Sequence, residues 1–155
     1  TYRAAIMWAS SLSHNDLTEC GTEKDFASHR LEHELSGLFG VTHGAGLAAI
    51  WGSWARYVME KHLTRFEKFA VNVMGVLQDF TNPRMTALRG IEAMEAFFVE
   101  IGMPTSIPEL IGRKATDEEI AIMADKCSRG GTITIGAMEV LEQDDMTEIY
   151  QLANE

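Results

Sequence analysis

The sequence predicts an all-α domain, and three observations support this fold class. Apolar residues recur at helical spacing along nearly all of the 155 residues. Helix-starting residues precede most of these apolar runs, and no repeat, low-complexity tract or linker interrupts them. The hydrophobic fraction of 46% is sufficient for one core. We therefore expect a single helical domain of about six to eight helices that pack in pairs rather than as a long coiled coil.

The predicted helices follow one another along the whole chain. The first, at residues 3–13, has apolar spacing that suits a buried or half-buried helix. Glycines between the second and third helices favour a chain reversal there. The full set of predicted helices is residues 3–13, 24–38, 42–62, 64–79, 83–101, a short turn from 107, 117–128 and 143–153.

Capping residues define several of these helix starts. Asn82 before Pro83 predicts an N-cap, because proline at the first helical position loses no hydrogen bond. Serine and threonine followed three residues later by glutamate predict capping boxes at Ser106 and Thr116. The segment 129–140 is predicted to be a loop with a brief extended piece, and its glycines do not form a phosphate-binding motif.

Charge and cysteine content exclude several classes of partner. The net charge of −10, from 13 basic and 23 acidic residues, provides no basic face for phosphates. We therefore expect no nucleic-acid partner and no membrane partner, and no apolar run approaches the ~20 residues of a membrane helix. Cys20 and Cys127 form no paired motif and indicate reduced thiols in a cytoplasmic protein, with a single disulfide as the alternative.

Three of the five histidines lie in the segment 27–50, "ASHRLEHELSGLFGVTHGAGLAAI". His29 and His33 are four residues apart and share one helix face. His43 follows a break at 37–40, and two helices joined by a tight reversal can bring it back beside the other two. Imidazole is a common ligand of Zn, Fe, Cu and Ni. The pattern therefore suggests a metal site, or a metal with a proton carrier.

Other interpretations of this segment remain open. A histidine pair at this spacing also occurs at ordinary helix surfaces, and His14 and His62 lie apart from the cluster. Glu32 either orients a histidine ring or is a solvated charge, whereas Glu34 is expected at the surface. Gly44 and Gly46 either allow the start of the third helix to approach a cleft closely or allow helices to pack tightly. The aromatic residues expected to pack in the core are Trp8, Trp51, Trp54, Phe97 and Phe98.

The histidine segment resembles the signature of the iron-containing alcohol dehydrogenases. In both, a histidine is followed by a second four residues later and by a third, fourteen after the first, that precedes glycine. "IMWASSLSHNDL" resembles the butanol dehydrogenase branch, and "IGMPTSIPEL", "TDEEIAIMADK" and "DDMTEIYQLA" extend the resemblance more weakly. Glu142 departs from the Thr or Ser that commonly caps the last helix. The resemblance implies the C-terminal domain of the dehydroquinate synthase-like fold.

The resemblance also implies roles for the three histidines. His29 and His43 are expected to bind the metal, Fe(II) or Zn(II). His33 is expected to contact the nicotinamide and to relay a proton, which makes it both a catalytic and a cofactor-binding residue. The family takes a further Asp and His ligand from an upstream segment, and binds NAD(H) or NADP(H) mainly through an N-terminal α/β domain. Neither is present here, so residues 1–155 are interpreted as the C-terminal helical metal-binding domain.

The complete enzyme is then expected to interconvert a primary alcohol and its aldehyde by hydride transfer. Its partners are the small alcohol or aldehyde substrate, its own N-terminal domain and a second copy in a homodimer. The 155 residues alone are expected to show little or no turnover. The alternatives are a non-catalytic helical domain that binds a metal or a protein, and a metal-independent or differently metallated member of the same superfold.

Overall fold

A computed structural model describes residues 1–155, and its architecture is eight α-helices without a sheet. The all-α prediction is therefore confirmed, with a helix count inside the expected range. A single antiparallel bridge between Ile135 and Leu141 accounts for the brief extended piece. The helices are α1 Tyr2–His14, α2 Ala27–Phe39, α3 His43–Met59, α4 Leu63–Asn72, α5 Pro83–Glu100, α6 Ile107–Ile111, α7 Asp117–Ser128 and α8 Gln143–Ala153, with a short 3-10 turn at Leu17–Glu19.

The capping predictions largely hold. The Asn82 side chain accepts from the Met85 N–H at 3.1 Å, directly before Pro83. At α7 the capping box is complete, since Thr116 and Glu119 each accept from the other's backbone N–H. At α6 it is half formed: Ser106 accepts from the Glu109 N–H, but the Glu109 carboxylate accepts from Thr105 instead of Ser106.

Three helices are shorter than predicted: α3 ends at Met59 rather than at residue 62, and local backbone features shorten α2 and α4. The Asp25 carboxylate accepts from the Ala27 N–H at 2.8 Å, so α2 begins at Ala27 rather than at residue 24. The predicted continuation of α4 to residue 79 is wrong, because the helix ends at Asn72. Gly75 there takes a left-handed φ of 70°, which reverses the chain after the helix.

One apolar cluster of 23 buried residues includes side chains from every helix from α2 to α8. Leu31 and Leu35 of α2, Ile50 of α3 and Met123 of α7 are among its fully buried members. The buried Tyr150 hydroxyl donates to the Leu31 carbonyl at 2.7 Å, which joins α8 to α2 without leaving a polar group unpaired. This continuous core is consistent with one domain, and α2 and α3 lie within it.

Helix α1 lies outside the core, contrary to the prediction of a buried or half-buried helix. It has no buried residue and packs mainly against the 3-10 turn that follows it. Trp8 is 66% exposed, so its expected core packing is wrong, as is that of the exposed Phe97. Trp54 is buried, and Trp51 packs between Phe69 and Phe98 with ring centroids 5.7 and 6.0 Å away.

No helix combines the length and apolar character needed to cross a membrane.

Candidate metal centre

The three predicted histidines converge at the junction of α2 and α3. His29 and His33 lie on one face of α2, and His43 is the first residue of α3. The ring centroid of His43 lies 5.5 Å from that of His29 and 5.6 Å from that of His33. His43 is therefore the ring that lies next to both α2 histidines.

The chain reversal that brings His43 back is encoded at Gly40. This residue ends α2 in the left-handed conformation, with φ of 65°, and its N–H donates to the Ser36 carbonyl at 3.0 Å. Thr42 then takes an extended conformation before α3, and its side chain makes no capping hydrogen bond. A non-glycine residue at position 40 would be strained, so the tight turn depends on glycine.

Glu32 connects the cluster to the core. Its side chain is fully buried, and its carboxylate accepts hydrogen bonds from the Ser36 hydroxyl and from Nδ1 of His43. Of the two interpretations of Glu32, the structure therefore supports orientation of a histidine ring. Ser36 was not identified from the sequence, although its place four residues after Glu32, on the same helix face, was an available signal.

Gly46 provides the space that Glu32 occupies. A Cβ atom at position 46 would lie 2.5 Å from Glu32 Oε1 and 2.9 Å from its Cγ. The glycine therefore allows α3 to pack directly against this side chain, which supports the helix-packing interpretation. Gly44, in contrast, faces open space, since a Cβ atom at that position would have no other atom within 4 Å.

Burial changes the protonation of His29. Its pKa is lowered, first by desolvation and then by the neighbouring His43 and His33. The lowered pKa favours the neutral imidazole, which is the form that binds a metal. The edge of the Phe26 ring lies against His29, with ring centroids 5.1 Å apart.

The donor set fits a divalent transition metal. One potential ligand atom each from Glu32, His33 and His43 lies within 4.8 Å of the other two, and His29 adds a third imidazole next to His43. Both Glu32 oxygens are already hydrogen-bonded, to Ser36 and to His43, which favours support of a ligand over direct metal binding as the role of this carboxylate. Nitrogen donors of this kind suit Fe(II) and Zn(II).

Asp25 anchors the start of the helix that carries His29, and it was not identified from the sequence. Besides the Ala27 N–H, its carboxylate accepts from the N–H groups of Ala137 and Met138 at 3.1 and 2.8 Å. These bonds tie the loop between α7 and α8 to the first turn of α2. An aspartate two residues before a helix is a recognisable capping signal, but its long-range partners are not.

The other two histidines are not members of the cluster, as expected, although the charge of His14 contributes to the lowered pKa of His29. His62 Nε2 lies 2.9 Å from a Glu139 oxygen, and Glu139 also accepts from Lys61 at 2.5 Å. His14 contacts the Ser10 carbonyl within its own helix. Both rings therefore have local partners and take no part in the metal-ligand cluster.

The fold and the cluster together define a helical domain with a compact set of potential metal ligands. Comparison with known protein families identifies the family to which this domain belongs. A model described as "Fe-containing alcohol dehydrogenase family, C-terminal" matches residues 1–154, and the chain belongs to that family.

Individual relatives agree with this assignment. NADH-dependent butanol dehydrogenase A of Clostridium acetobutylicum is 32% identical over 151 residues, which are 96% of this chain and 38% of the relative. NADPH-dependent aldehyde reductase YqhD of Escherichia coli is 25% identical over 151 residues, 97% of this chain and 38% of the relative. The crystal structure of NADH-dependent butanol dehydrogenase A from Thermotoga maritima superposes with a TM-score of 0.83 at 30% identity, covering 96% of this chain and 38% of that one. The chain therefore spans about 38% of the length of these relatives.

Proposed function

We propose that this chain is the metal-binding helical domain of an NAD(P)-linked alcohol dehydrogenase that interconverts a primary alcohol and its aldehyde. The observation that carries the proposal is the convergence of two imidazoles, His29 and His33, on a third, His43, whose Nδ1 contacts the buried Glu32 carboxylate. Family membership and relatives named as butanol dehydrogenase and aldehyde reductase support the reaction class.

In this proposal, His29 and His43 hold the metal, Fe(II) or Zn(II). The lowered pKa of His29 favours the neutral form of its ring, and Glu32 orients the ring of His43. When bound, the metal supplies a Lewis acid that polarises the substrate oxygen. Hydride transfer itself belongs to the nicotinamide, and the protein contributes alignment.

His33 takes the catalytic and cofactor-binding role. Its side chain is exposed beside His43 and is four residues from His29 on the same helix face. An exposed imidazole can accept a proton from the alcohol and release it to solvent near neutral pH. We place the nicotinamide against this ring.

The rest of the enzyme is proposed from the family. An N-terminal α/β domain would bind most of the NAD(H) or NADP(H) and supply the further Asp and His ligands, and the complete enzyme would be a homodimer. The 155 residues alone would then have little or no turnover. The free thiols of Cys20 and Cys127 favour a cytoplasmic location.

Titration of Zn(II) and Fe(II) into the purified chain tests the metal site. We expect weak binding that is lost in His29→Ala and in His43→Ala but kept in His62→Ala, the control outside the cluster. Binding that is equal in all four proteins would refute the metal assignment.

A second candidate function, a self-sufficient metal-binding module, is favoured by the close grouping of Glu32, His33 and His43. The same titration distinguishes the two. The module predicts tight stoichiometric binding that is lost in His33→Ala and kept in His29→Ala, whereas the dehydrogenase assignment predicts the reverse for these two variants.

A further inference from the structure

We propose that Glu32 is a positioning residue that fixes His43 in the tautomer protonated on Nδ1, so that Nε2 is the nitrogen available to a metal. The metal part of this inference rests on the proposed function. The tautomer part concerns the chain alone and can be tested without any metal.

The chemistry of the two partners determines the direction of the hydrogen bond. An ionised carboxylate can only accept, so a ring nitrogen in contact with it must carry the proton. Because the contacting atom is Nδ1 of His43, a neutral ring leaves its lone pair on Nε2. The exposed fractions agree with this geometry: the Glu32 side chain is 0% exposed and that of His43 is 50% exposed. Nδ1 of His43 is therefore fixed by the buried Glu32, while the rest of the ring is partly exposed.

The surroundings of Glu32 fix its carboxylate in place. The Ser36 hydroxyl donates to one Glu32 oxygen and lies 3.2 Å from the Val41 carbonyl, so the carboxylate is held next to the turn between α2 and α3. Gly46, on α3, has no side chain that would displace Glu32. A buried carboxylate is costly unless its oxygens are hydrogen-bonded, and here both are. Glu32, Ser36 and Gly46 therefore act together to orient one ring.

A carboxylate behind a ligating histidine also increases the basicity of the ring. Such partners fix the tautomer and typically change metal affinity about tenfold to a hundredfold when they are removed. The spacing of the histidines alone does not predict this hydrogen bond, because the acceptor for Nδ1 of His43 is determined by tertiary contact. Glu34, two residues further along, is not hydrogen-bonded to any histidine ring.

Proton–nitrogen correlation spectra of the imidazole rings test the tautomer in the full, metal-free chain at a pH above the titration range of imidazole. We expect His43 to be protonated on Nδ1. His62 is an internal reference, because Glu139 contacts its other nitrogen, and we expect protonation on Nε2 there. A wild-type His43 that is protonated mainly on Nε2 would overturn the proposal, and this measurement requires no variant.

Variants then test whether Glu32 is the cause. Glu32→Met has no acceptor and should lose the single tautomer, whereas Glu32→Gln retains an amide oxygen and should keep part of it. Glu34→Gln is the matched control on the same helix and should leave His43 unchanged. In all variants His62 should keep its wild-type spectrum, because its glutamate is intact, and circular dichroism should show the wild-type helix content.

Zn(II) affinity provides the second measurement. We expect it to fall about tenfold to a hundredfold in Glu32→Met and to stay unchanged in Glu34→Gln. An unchanged His43 tautomer and affinity in Glu32→Met would overturn the positioning role, even if the metal site is correct. Conversely, a chain that binds no metal but shows the Glu32-dependent tautomer would refute only the metal assignment.

Discussion

Replacing Gly46 with alanine tests how closely α3 packs against the candidate metal centre. The added Cβ would lie 2.5 Å from Glu32 Oε1, 2.9 Å from Cγ and 3.1 Å from Cδ. Unbonded atoms cannot remain this close, so either Glu32 leaves its position or the two helices move apart. Moving Glu32 would break its hydrogen bonds to Ser36 and His43.

The size of the effect follows from opposing contributions. Alanine in a helix interior is more favourable than glycine by about 0.5–1 kcal/mol. Overpacking costs about 1–3 kcal/mol, and a hydrogen bond lost from a buried charged group costs about 1–3 kcal/mol more. We therefore expect Gly46→Ala to lower the free energy of unfolding by about 1–5 kcal/mol, despite the gain in helix propensity.

Urea denaturation followed by circular dichroism measures this change, with Gly37→Ala as the control. Gly37 also lies inside a helix, but a Cβ there would have no atom within 4 Å. The control should therefore gain about 0.5–1 kcal/mol. An unfolding midpoint for Gly46→Ala at or above that of the wild type would refute the close packing against Glu32.

Three further predictions concern other parts of the fold. Gly90→Ala should destabilise the chain by about 1–3 kcal/mol and lower its thermal unfolding midpoint. The new Cβ would lie 2.7 Å from the Ala70 Cα, and a backbone atom cannot rotate away. An unchanged midpoint would contradict the close contact between α4 and α5. Asp25→Ala removes the acceptor of three backbone N–H groups, so a protease should cut the loop between α7 and α8 faster than in the wild type. An unchanged cutting rate would show that the loop does not depend on this residue. Arg113 is the main cause that lowers the pKa of Glu119 from 4.5 to about 2, so the stabilisation is complete above about pH 4.5 and is lost as the pH falls towards 2. Over this pH range the free energy of unfolding should therefore fall less in Glu119→Gln than in the wild type. An acid-unfolding curve identical to that of the wild type would exclude the Arg113–Glu119 pair as a contributor to stability.

The start of a helix was predictable wherever a local cap defines it. Asn82 with Pro83, and Thr116 with Glu119, form bonds within a few residues, so the sequence contains the whole interaction. The end of α4 and the exposure of α1 were not predictable. They depend on where the chain turns and on which surface a helix meets, and apolar spacing alone reports neither.

The candidate site was predictable to a similar extent. Helical spacing and a glycine turn were sufficient to predict that His43 returns to His29 and His33. The role of Glu32 depends on its complete burial between two helices, which residue type alone would argue against. The bonds from Asp25 to Ala137 and Met138 likewise join segments more than a hundred residues apart, beyond the reach of any local pattern.

The most direct test of the central claim is a crystal structure of the chain grown with Zn(II), with anomalous diffraction data collected at the zinc edge. We expect an anomalous peak between His29 and His43, at the ~2.0–2.1 Å typical of zinc–nitrogen bonds, with Glu32 still hydrogen-bonded to Nδ1 of His43. Zinc bound by the Glu32 carboxylate and His33, or no peak at the cluster, would contradict the assignment of His29 and His43 as the metal ligands.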